Sequence, residues 1–361
     1  APGVPAAGGD PPTAQPYRGL AELRPRFWTP TTMAVPEGGL GVVGVATDAL
    51  LTHTVVASVG RGYHERSPVG LAAWTYNGWN PGLGVIVKRS ELDYDQQILA
   101  GDGNFYDYTE TVDTCEGRIG YGLGGFQRRW QGWLSAGVDR HRAVDSATDD
   151  YAGLDTAPPD PFVGDERYLE LTIAYDDSIL FPTSYAREDG ASLALVGRVS
   201  DERGSSALGM GSYSLAVWPD GGHQLVGSVQ VGWSDGPHDL QARYGIGGNK
   251  AEGIPRGYPT VVERGRCLEA ASLAYRLPLY RPFDGLGTTP WVTRQVVLEG
   301  FYDYGGIGDR LGDLRWYRSA GAEVHLEFAF WLVRFAPGVG IARQIDAKEE
   351  TTSYLSLGFR W

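Results

Sequence analysis

The sequence is poor in the residues that build disulfide scaffolds and membrane helices. Among its 361 residues there are two cysteines, Cys115 and Cys267. Two cysteines are too few for a disulfide-rich fold and match no zinc motif, and the sequence leaves open whether they form a bridge. No uninterrupted apolar run reaches the roughly 18 residues of a transmembrane helix, which excludes a membrane protein of the helical type.

Motifs for metal binding, catalysis and nucleic-acid binding are missing as well. The six histidines show no metal-ligand spacing, and there is no G-x-S-x-G element. Residues 245–248 are glycine-rich, but no helix is predicted after them, so they do not form a phosphate-binding loop. The formal net charge is −13, whereas nucleic-acid-binding proteins present a basic face. We therefore predict a protein that is not an enzyme, holds no metal and no cofactor, and binds no nucleic acid.

What the sequence does contain is a regular alternation of apolar and polar residues. The segment 166–176 places its leucines and isoleucine on one face of a strand and mostly polar residues on the other. The segment 319–331 repeats the pattern, with Glu323, His325 and Glu327 on the polar face. Such side chains would be costly to desolvate in a dry core, but they suit a water-filled lumen. No apolar stripe with the helical period of 3.6 residues is evident, so little helix is predicted.

Segments with this period of two occur sixteen times, an even number, as is usual for bacterial outer-membrane barrels. The predicted strands are 23–33, 38–48, 51–61, 68–77, 83–91, 111–122, 125–140, 166–176, 191–200, 208–217, 223–233, 266–278, 291–303, 319–331, 333–344 and 352–361. We therefore predict an all-β fold, a 16-stranded antiparallel transmembrane β-barrel over residues 23–361. Residues 1–22, which begin with a Pro/Ala/Gly-rich stretch, are predicted to be a disordered N-terminal linker.

The predicted connections differ in length between the two ends of the strands. At one end most are short turns, such as 123–124, although 177–190 and 279–290 are longer. At the other end lie long loops rich in Asp, Gly and Tyr, namely 92–110, 141–165, 234–265 and 304–318. Short turns on one side and long loops on the other are typical of outer-membrane barrels.

The first and last predicted strands have unusual features. The chain closes on an amphipathic strand, 352–361, that ends at Trp361, as the last strand of an outer-membrane barrel usually does. Pro25 and Pro30 lie in the first strand, where each proline removes a backbone hydrogen-bond donor. Two interpretations stay open. Either 23–33 and 352–361 form a weak seam that opens sideways, or pairing of the first strand starts only after Pro30.

A set of short motifs follows in a fixed order in the last third of the chain. They are Gly247-Gly248, Arg256-Gly257-Tyr258 and the residues Phe301, Asp303 and Gly305. Their order and spacing resemble the bacterial surface antigen superfamily, which includes barrel-assembly proteins and two-partner secretion transporters of the outer membrane. The resemblance covers residues 220–361. It implies an outer-membrane barrel whose sixth extracellular loop folds back into the lumen.

The resemblance also implies a contact between this loop and the barrel wall, a loop–lumen lock. Arg256 would face Asp303, which alternation places on the inward face together with Phe301 and Glu299. Gly257 would allow a tight turn beside Tyr258, and Gly247 and Gly248 would form the hinge of the loop. The lock either takes part in transport or only braces the barrel and plugs it.

Two departures from the family pattern are visible. Where the family often has Glu on the twelfth strand, this chain has Ala274, so Glu299 or Glu269 is the candidate for a second carboxylate contact to Arg256. Family members also carry periplasmic modules before the barrel. Two interpretations stay open: either those modules were cut off, or this branch has none. Residues 20–30 are similar to the junction in bacterial proteins whose TolB-like β-propeller precedes such a barrel, and the first interpretation implies a periplasmic domain or protein partner.

These observations predict a protein of the Gram-negative bacterial outer membrane that contacts outer-membrane lipid. The favoured function is the translocation or membrane insertion of a macromolecule, either a protein or a lipid. Two alternatives stay open: a structural anchor or pore domain for a periplasmic propeller or a partner complex, and a passive diffusion porin.

Overall fold

We describe the fold from a computed structural model of the chain. It describes residues 19–31, 39–62, 66–99, 102–125, 128–144, 161–178, 189–218, 222–237, 240–247, 255–258, 261–282, 284–285, 291–330, 333–346 and 350–360. None of these residues belongs to an α-helix, and none forms a helix long and apolar enough to cross a membrane.

Nearly all of the secondary structure is β-strand. The strands are β1 (Arg24–Thr31), β2 (Gly39–Thr47), β3 (His53–Gly62), β4 (Pro68–Tyr76), β5 (Gly82–Leu99), β6 (Phe105–Gly124), β7 (Arg129–Ala143), β8 (Gly164–Asp176), β9 (Gly190–Ser200), β10 (Ser205–Trp218), β11 (His223–Ser234), β12 (Tyr244–Gly247), β13 (Val261–Gly265), β14 (Cys267–Tyr280), β15 (Asp284–Gly285), β16 (Trp291–Gly308), β17 (Arg315–Phe330), β18 (Val333–Gln344) and β19 (Thr351–Arg360).

Sixteen of these strands form one large antiparallel sheet. Strands β1–β11, β14 and β16–β19 each pair with the next strand along the chain, so the sheet is a meander. The two-residue β15 adds to β16, and β12 and β13 form a separate hairpin within the connection between β11 and β14. The predicted all-β fold and its antiparallel sheet of sixteen strands are therefore confirmed.

The burial of the two faces of this sheet is the reverse of that in an ordinary soluble domain. One face, here called the apolar face, exposes its side chains; Leu169 is 57% exposed and Leu171 is 48% exposed. The opposite polar face is buried although it carries charges; Asp303 is 0% exposed and Glu327 is 1% exposed. Buried charge and exposed apolar area are the informative departures from the usual distribution.

The strands on the long-loop side extend further than the sequence predicts. Residues 92–110 were predicted to be a loop, but β5 and β6 continue through most of them, with Tyr94 paired to Tyr108. Strand β16 likewise continues to Gly308 and β17 begins at Arg315. The prediction failed because Asp and Gly, which disfavour strands locally, interrupt the aromatic and apolar residues of these extensions, whereas the hydrogen bonds of a long hairpin supply the pairing.

The two ends of the chain differ partly from the prediction. Gly19–Glu22, at the end of the predicted linker, forms one 3-10 turn, while residues 1–18 lie outside the described part of the chain, as does Trp361. Strand β1 pairs with β2 along its length, including Pro25 and Pro30, with an irregularity between Pro25 and Phe27. Within the described residues, no register joins β1 to β19.

Candidate functional site

The connection between β11 and β14 lies against the polar face of the sheet and brings one arginine onto it. The Arg256 backbone N donates to Asp303 Oδ2 at 3.0 Å, and its side-chain Nε donates to the same oxygen at 2.8 Å. Nη2 donates to Asp303 Oδ1 at 3.0 Å. The guanidinium therefore binds both oxygens of one carboxylate. Arginine can form such a bidentate pair, whereas lysine cannot.

Two further carboxylates lie near Arg256, and one of them, Glu323, is 3.8 Å from Nη1. Arg256 Nη1 donates to Glu299 Oε1 at 2.6 Å, and Glu299 also accepts from Arg276 Nε at 2.6 Å. Ser272 Oγ donates to Asp303 Oδ1 at 2.6 Å. Of the two candidates for this contact, Glu299 is the one that the described bonds identify. We call Arg256, Ser272, Glu299, Phe301 and Asp303 the Arg256 cluster.

The other side of this cluster is formed by the ring of Phe301 and by the small side chain of Ala274. The Arg256 guanidinium carbon lies 3.5 Å from the centre of the Phe301 ring, a cation–π arrangement. Ala274 is buried and belongs to one apolar cluster with Phe301 and Ala342. The position where the family often has Glu is therefore occupied by an apolar contact in this chain.

Charge and burial act in opposite directions on Arg256. Burial disfavours its charged form, but the hydrogen bond and charge of Asp303, together with those of Glu299, outweigh burial and raise the pKa of Arg256 above its ordinary value. The arginine is therefore charged at every physiological pH.

Gly257 and Tyr258 dock the tip of the connection against β17 and β18. Gly257 has a φ of +89°, and its carbonyl oxygen accepts from Gln344 Nε2 at 3.0 Å. The Tyr258 hydroxyl donates to the Arg318 carbonyl oxygen at 3.2 Å, and its ring packs edge-on against Tyr317. Together with Arg256, these residues fasten the tip to three neighbouring strands.

The space at Gly257 allows a sharp prediction for Gly257→Ala. A Cβ atom at this position would lie 2.5 Å from the Cβ of Ala342, and its φ is one that L-residues rarely adopt. We expect Gly257→Ala to lower the free energy of unfolding by about 2 kcal/mol, because the loop tip has to shift. Urea unfolding in lipid vesicles measures the change.

Gly103→Ala is the matched control for this prediction. Gly103 has a similar φ of +84°, but a Cβ atom there would have no neighbour within 4 Å. Gly103→Ala should therefore lower the free energy of unfolding by roughly 1 kcal/mol, the cost of the backbone strain without the collision. Equal effects of the two substitutions would contradict the close docking of the tip.

The same connection touches the polar face at a second place, far along the sheet. Leu240 is fully buried and packs against Tyr108 of β6. Gln241 Nε2 donates to Glu110 Oε2 at 2.9 Å. Arg264 Nη1 donates to the Leu240 carbonyl oxygen at 3.1 Å, which ties the two ends of the connection together. The connection is therefore held on β6 as well as on β16–β18.

Around Glu110 lies a buried cluster of charges that the sequence analysis did not identify. His141 Nδ1 is 3.1 Å from Glu110 Oε2, and His141 Nε2 is 3.6 Å from Glu166 Oε2. Arg203 bonds Glu166, and Arg198 Nη2 bonds it at 3.0 Å. These residues lie on β6, β7, β8 and β9 and in the turn after β9. Only the register of four strands brings them together, so no local motif signals them.

This buried cluster resembles a metal site in composition but not in charge. Asp139, His141 and Glu166 each offer one ligand atom, and these atoms lie within 4.8 Å of one another. However, Arg198 Nη2 bonds both Asp139 at 2.7 Å and Glu166 at 3.0 Å. A guanidinium therefore already binds the two carboxylates that a divalent cation would need.

The remaining predicted residues have separate outcomes. Gly247, predicted as part of the hinge, ends β12 with a φ of +88°, whereas Gly248 lies outside the described residues. Cys115 and Cys267 are both free. For Glu269, the described contacts give no bond to Arg256.

Comparisons with known proteins do not assign the chain to a family. No family model matches the sequence, and no curated protein matches it.

Proposed function

We propose that the chain is an outer-membrane β-barrel of the bacterial surface antigen type, which moves a macromolecule across the membrane or inserts one into it. The observation that carries the proposal is the inverted burial of the sheet, with Asp303 and Glu327 buried and Leu169 and Leu171 exposed. A closed barrel satisfies every backbone hydrogen bond within lipid. Closing the sheet between β1 and β19 would enclose the polar face as a lumen.

Aromatic side chains at both ends of the apolar face support the membrane placement. At the turn end they form contacting sets, namely His53–Trp74–Tyr76, Trp130–Tyr175, Trp218–His223–Tyr275 and Trp291–Phe328–Phe335. At the loop end Tyr304 stacks on Trp316. Outer-membrane barrels carry aromatic girdles of this kind at both interfaces.

The distance between these aromatic ends fits a bilayer. On β17, Trp316 and Phe328 are about a dozen residues apart. At a rise of about 3.4 Å per residue and a strand tilt of about 40°, they are separated by about 30 Å along the barrel axis. The hydrocarbon core of a bilayer is also about 30 Å thick.

The fastened connection favours a gated transporter over an open porin. It is held at Glu110 on β6 and at Asp303 on β16, so in a closed barrel it would cross the lumen. Pro25 and Pro30 each remove a backbone donor from β1, which supports a weak junction with β19, where a barrel that inserts a cargo into the membrane would open.

Conductance in planar bilayers tests the plug. We expect the intact chain to give small, flickering conductance that rises when residues 249–262 are deleted. The deletion suits the fold because Ile246 pairs with Glu263, so Gly247 and Gly248 remain as a two-residue turn. Removing residues 146–159, a deletion of the same length in the connection between β7 and β8, should leave the conductance unchanged.

Other outcomes of this experiment favour other functions. A steady, large conductance of the intact chain would support the diffusion porin. If neither the intact chain nor the 249–262 deletion conducts, the result would support the structural anchor.

A further inference from the structure

A groove opens on the apolar face where strands β4, β5, β6 and β7 run side by side. Its volume is about 650 Å³. The floor is apolar and partly built from small side chains, namely Gly70, Ala72, Val87, Cys115 and Val138. Because Gly70 and Ala72 carry little side chain, β4 is recessed beside Val87 and Val138, which are 51% and 40% exposed.

Arginines form the rim of this groove on the long-loop side. Arg89 Nη2 bonds Asp113 Oδ2 at 2.7 Å, and Arg140 Nη2 bonds Asp165 Oδ2 at 2.9 Å. Arg142 Nη2 lies 3.6 Å from the same Asp113 oxygen. Arg167 adds a fourth positive charge that acts on Asp165.

The rim carries an excess of positive charge, although the protein as a whole is acidic. Four arginines surround two aspartates, which leaves an excess of positive charge on a chain whose formal net charge is −13. A guanidinium has five N–H donors, so an arginine that holds one carboxylate keeps donors for another anion. The two aspartates orient the guanidinium groups without neutralising all of them.

We propose that this groove binds an anionic lipid, with the lipid phosphate at Arg89, Arg140 and Arg142 and one acyl chain along the floor. The assignment rests on the membrane placement of the proposed function. The groove has the two chemistries that such a lipid needs, because an apolar channel passes directly into an arginine rim at one end of the apolar face. Arginine pairs well with phosphate oxygens, and basic pockets at membrane surfaces bind lipid head groups.

Native mass spectrometry of the detergent-solubilised chain tests this proposal. Dioleoylphosphatidylglycerol and dioleoylphosphatidylcholine share the same acyl chains and differ in net charge. We expect the chain to retain the anionic lipid with an affinity about 10- to 30-fold higher than that for the zwitterionic lipid. The combined variant Arg89→Gln/Arg142→Gln should remove this preference, because each arginine near a membrane surface contributes about one factor of five to binding.

Three controls make the result specific. Ala72→Leu fills the floor and should weaken the binding of both lipids while leaving the arginines in place. Arg318→Gln removes an arginine that bonds Asp346 elsewhere on the sheet and should change nothing. Inorganic phosphate at millimolar concentration should not displace the lipid, because it lacks the acyl chain.

Several results would overturn the proposal. They are equal retention of both lipids, an unchanged preference in the arginine variant, and displacement by inorganic phosphate alone. The proposed function would fail separately, in an intact chain that does not insert into planar bilayers. A chain that inserts and conducts as expected but does not discriminate between the lipids contradicts only the lipid site.

Discussion

Replacing Arg256 by methionine is expected to lower the free energy of unfolding by about 3–5 kcal/mol, since it leaves the buried carboxylate of Asp303 without its charged partner and removes one of the two arginines that bind Glu299. Asp303 is completely buried, and Glu299 is nearly so. The guanidinium of Arg256 is 24% exposed and makes bonds to both of them. Methionine keeps the length of the side chain, so the loss measures mainly the charge and the hydrogen bonds. Urea unfolding in lipid vesicles gives the value.

Arg140→Met provides the comparison. Arg140 forms a two-bond pair with Asp165 as well, but that pair is exposed, and exposed pairs contribute at most about 1 kcal/mol. Adding Asp303→Asn to Arg256→Met should recover part of the lost free energy of unfolding, because it removes the charge of the carboxylate that has lost its arginine. If Arg256→Met costs no more than Arg140→Met, Arg256 does not hold the connection to the sheet.

The second large change in the free energy of unfolding is expected when a charge is placed on the apolar face. We expect Leu171→Arg to lower the free energy of unfolding by about 2–4 kcal/mol in lipid vesicles, the cost of arginine near the middle of a bilayer. Leu171 lies in the interior of β8. In a protein surrounded by water, the same exposed position would tolerate arginine within about 0.5 kcal/mol.

Val163→Arg is the matched control for the bilayer. Val163 is 58% exposed and precedes β8 on the long-loop side, beyond the predicted hydrocarbon. Its substitution should leave the stability nearly unchanged. A small effect at both positions, or a chain that stays folded and monodisperse in buffer without detergent, would refute the membrane placement.

Much of the fold could be predicted because strand faces are encoded locally. Leu169, Leu171 and Ile173 are two residues apart, and a strand turns successive side chains to opposite faces. The same rule placed Glu299, Phe301 and Asp303 together on one face, where the structure has them. Strand ends were harder to predict, because aspartates interrupt the alternating pattern where β5 and β6 continue, and the pairing between the two strands extends them.

The candidate site could likewise be predicted only in part. Arg256 and Asp303 were paired through a family resemblance, and the described contacts bring them together. The cluster of Glu110, His141 and Glu166 was not foreseen, because its members come from three strands whose register no short segment specifies.

By itself, the sequence determined that the chain forms strands, that sixteen of them build the large sheet, and which side chains share a face, because a period of two is a property of neighbouring residues. Only the tertiary structure decided that the connection after β11 is held at two distant places and that a groove opens beside Arg89. These features depend on contacts between residues far apart in the chain, and such contacts exist only once the strands have paired in register.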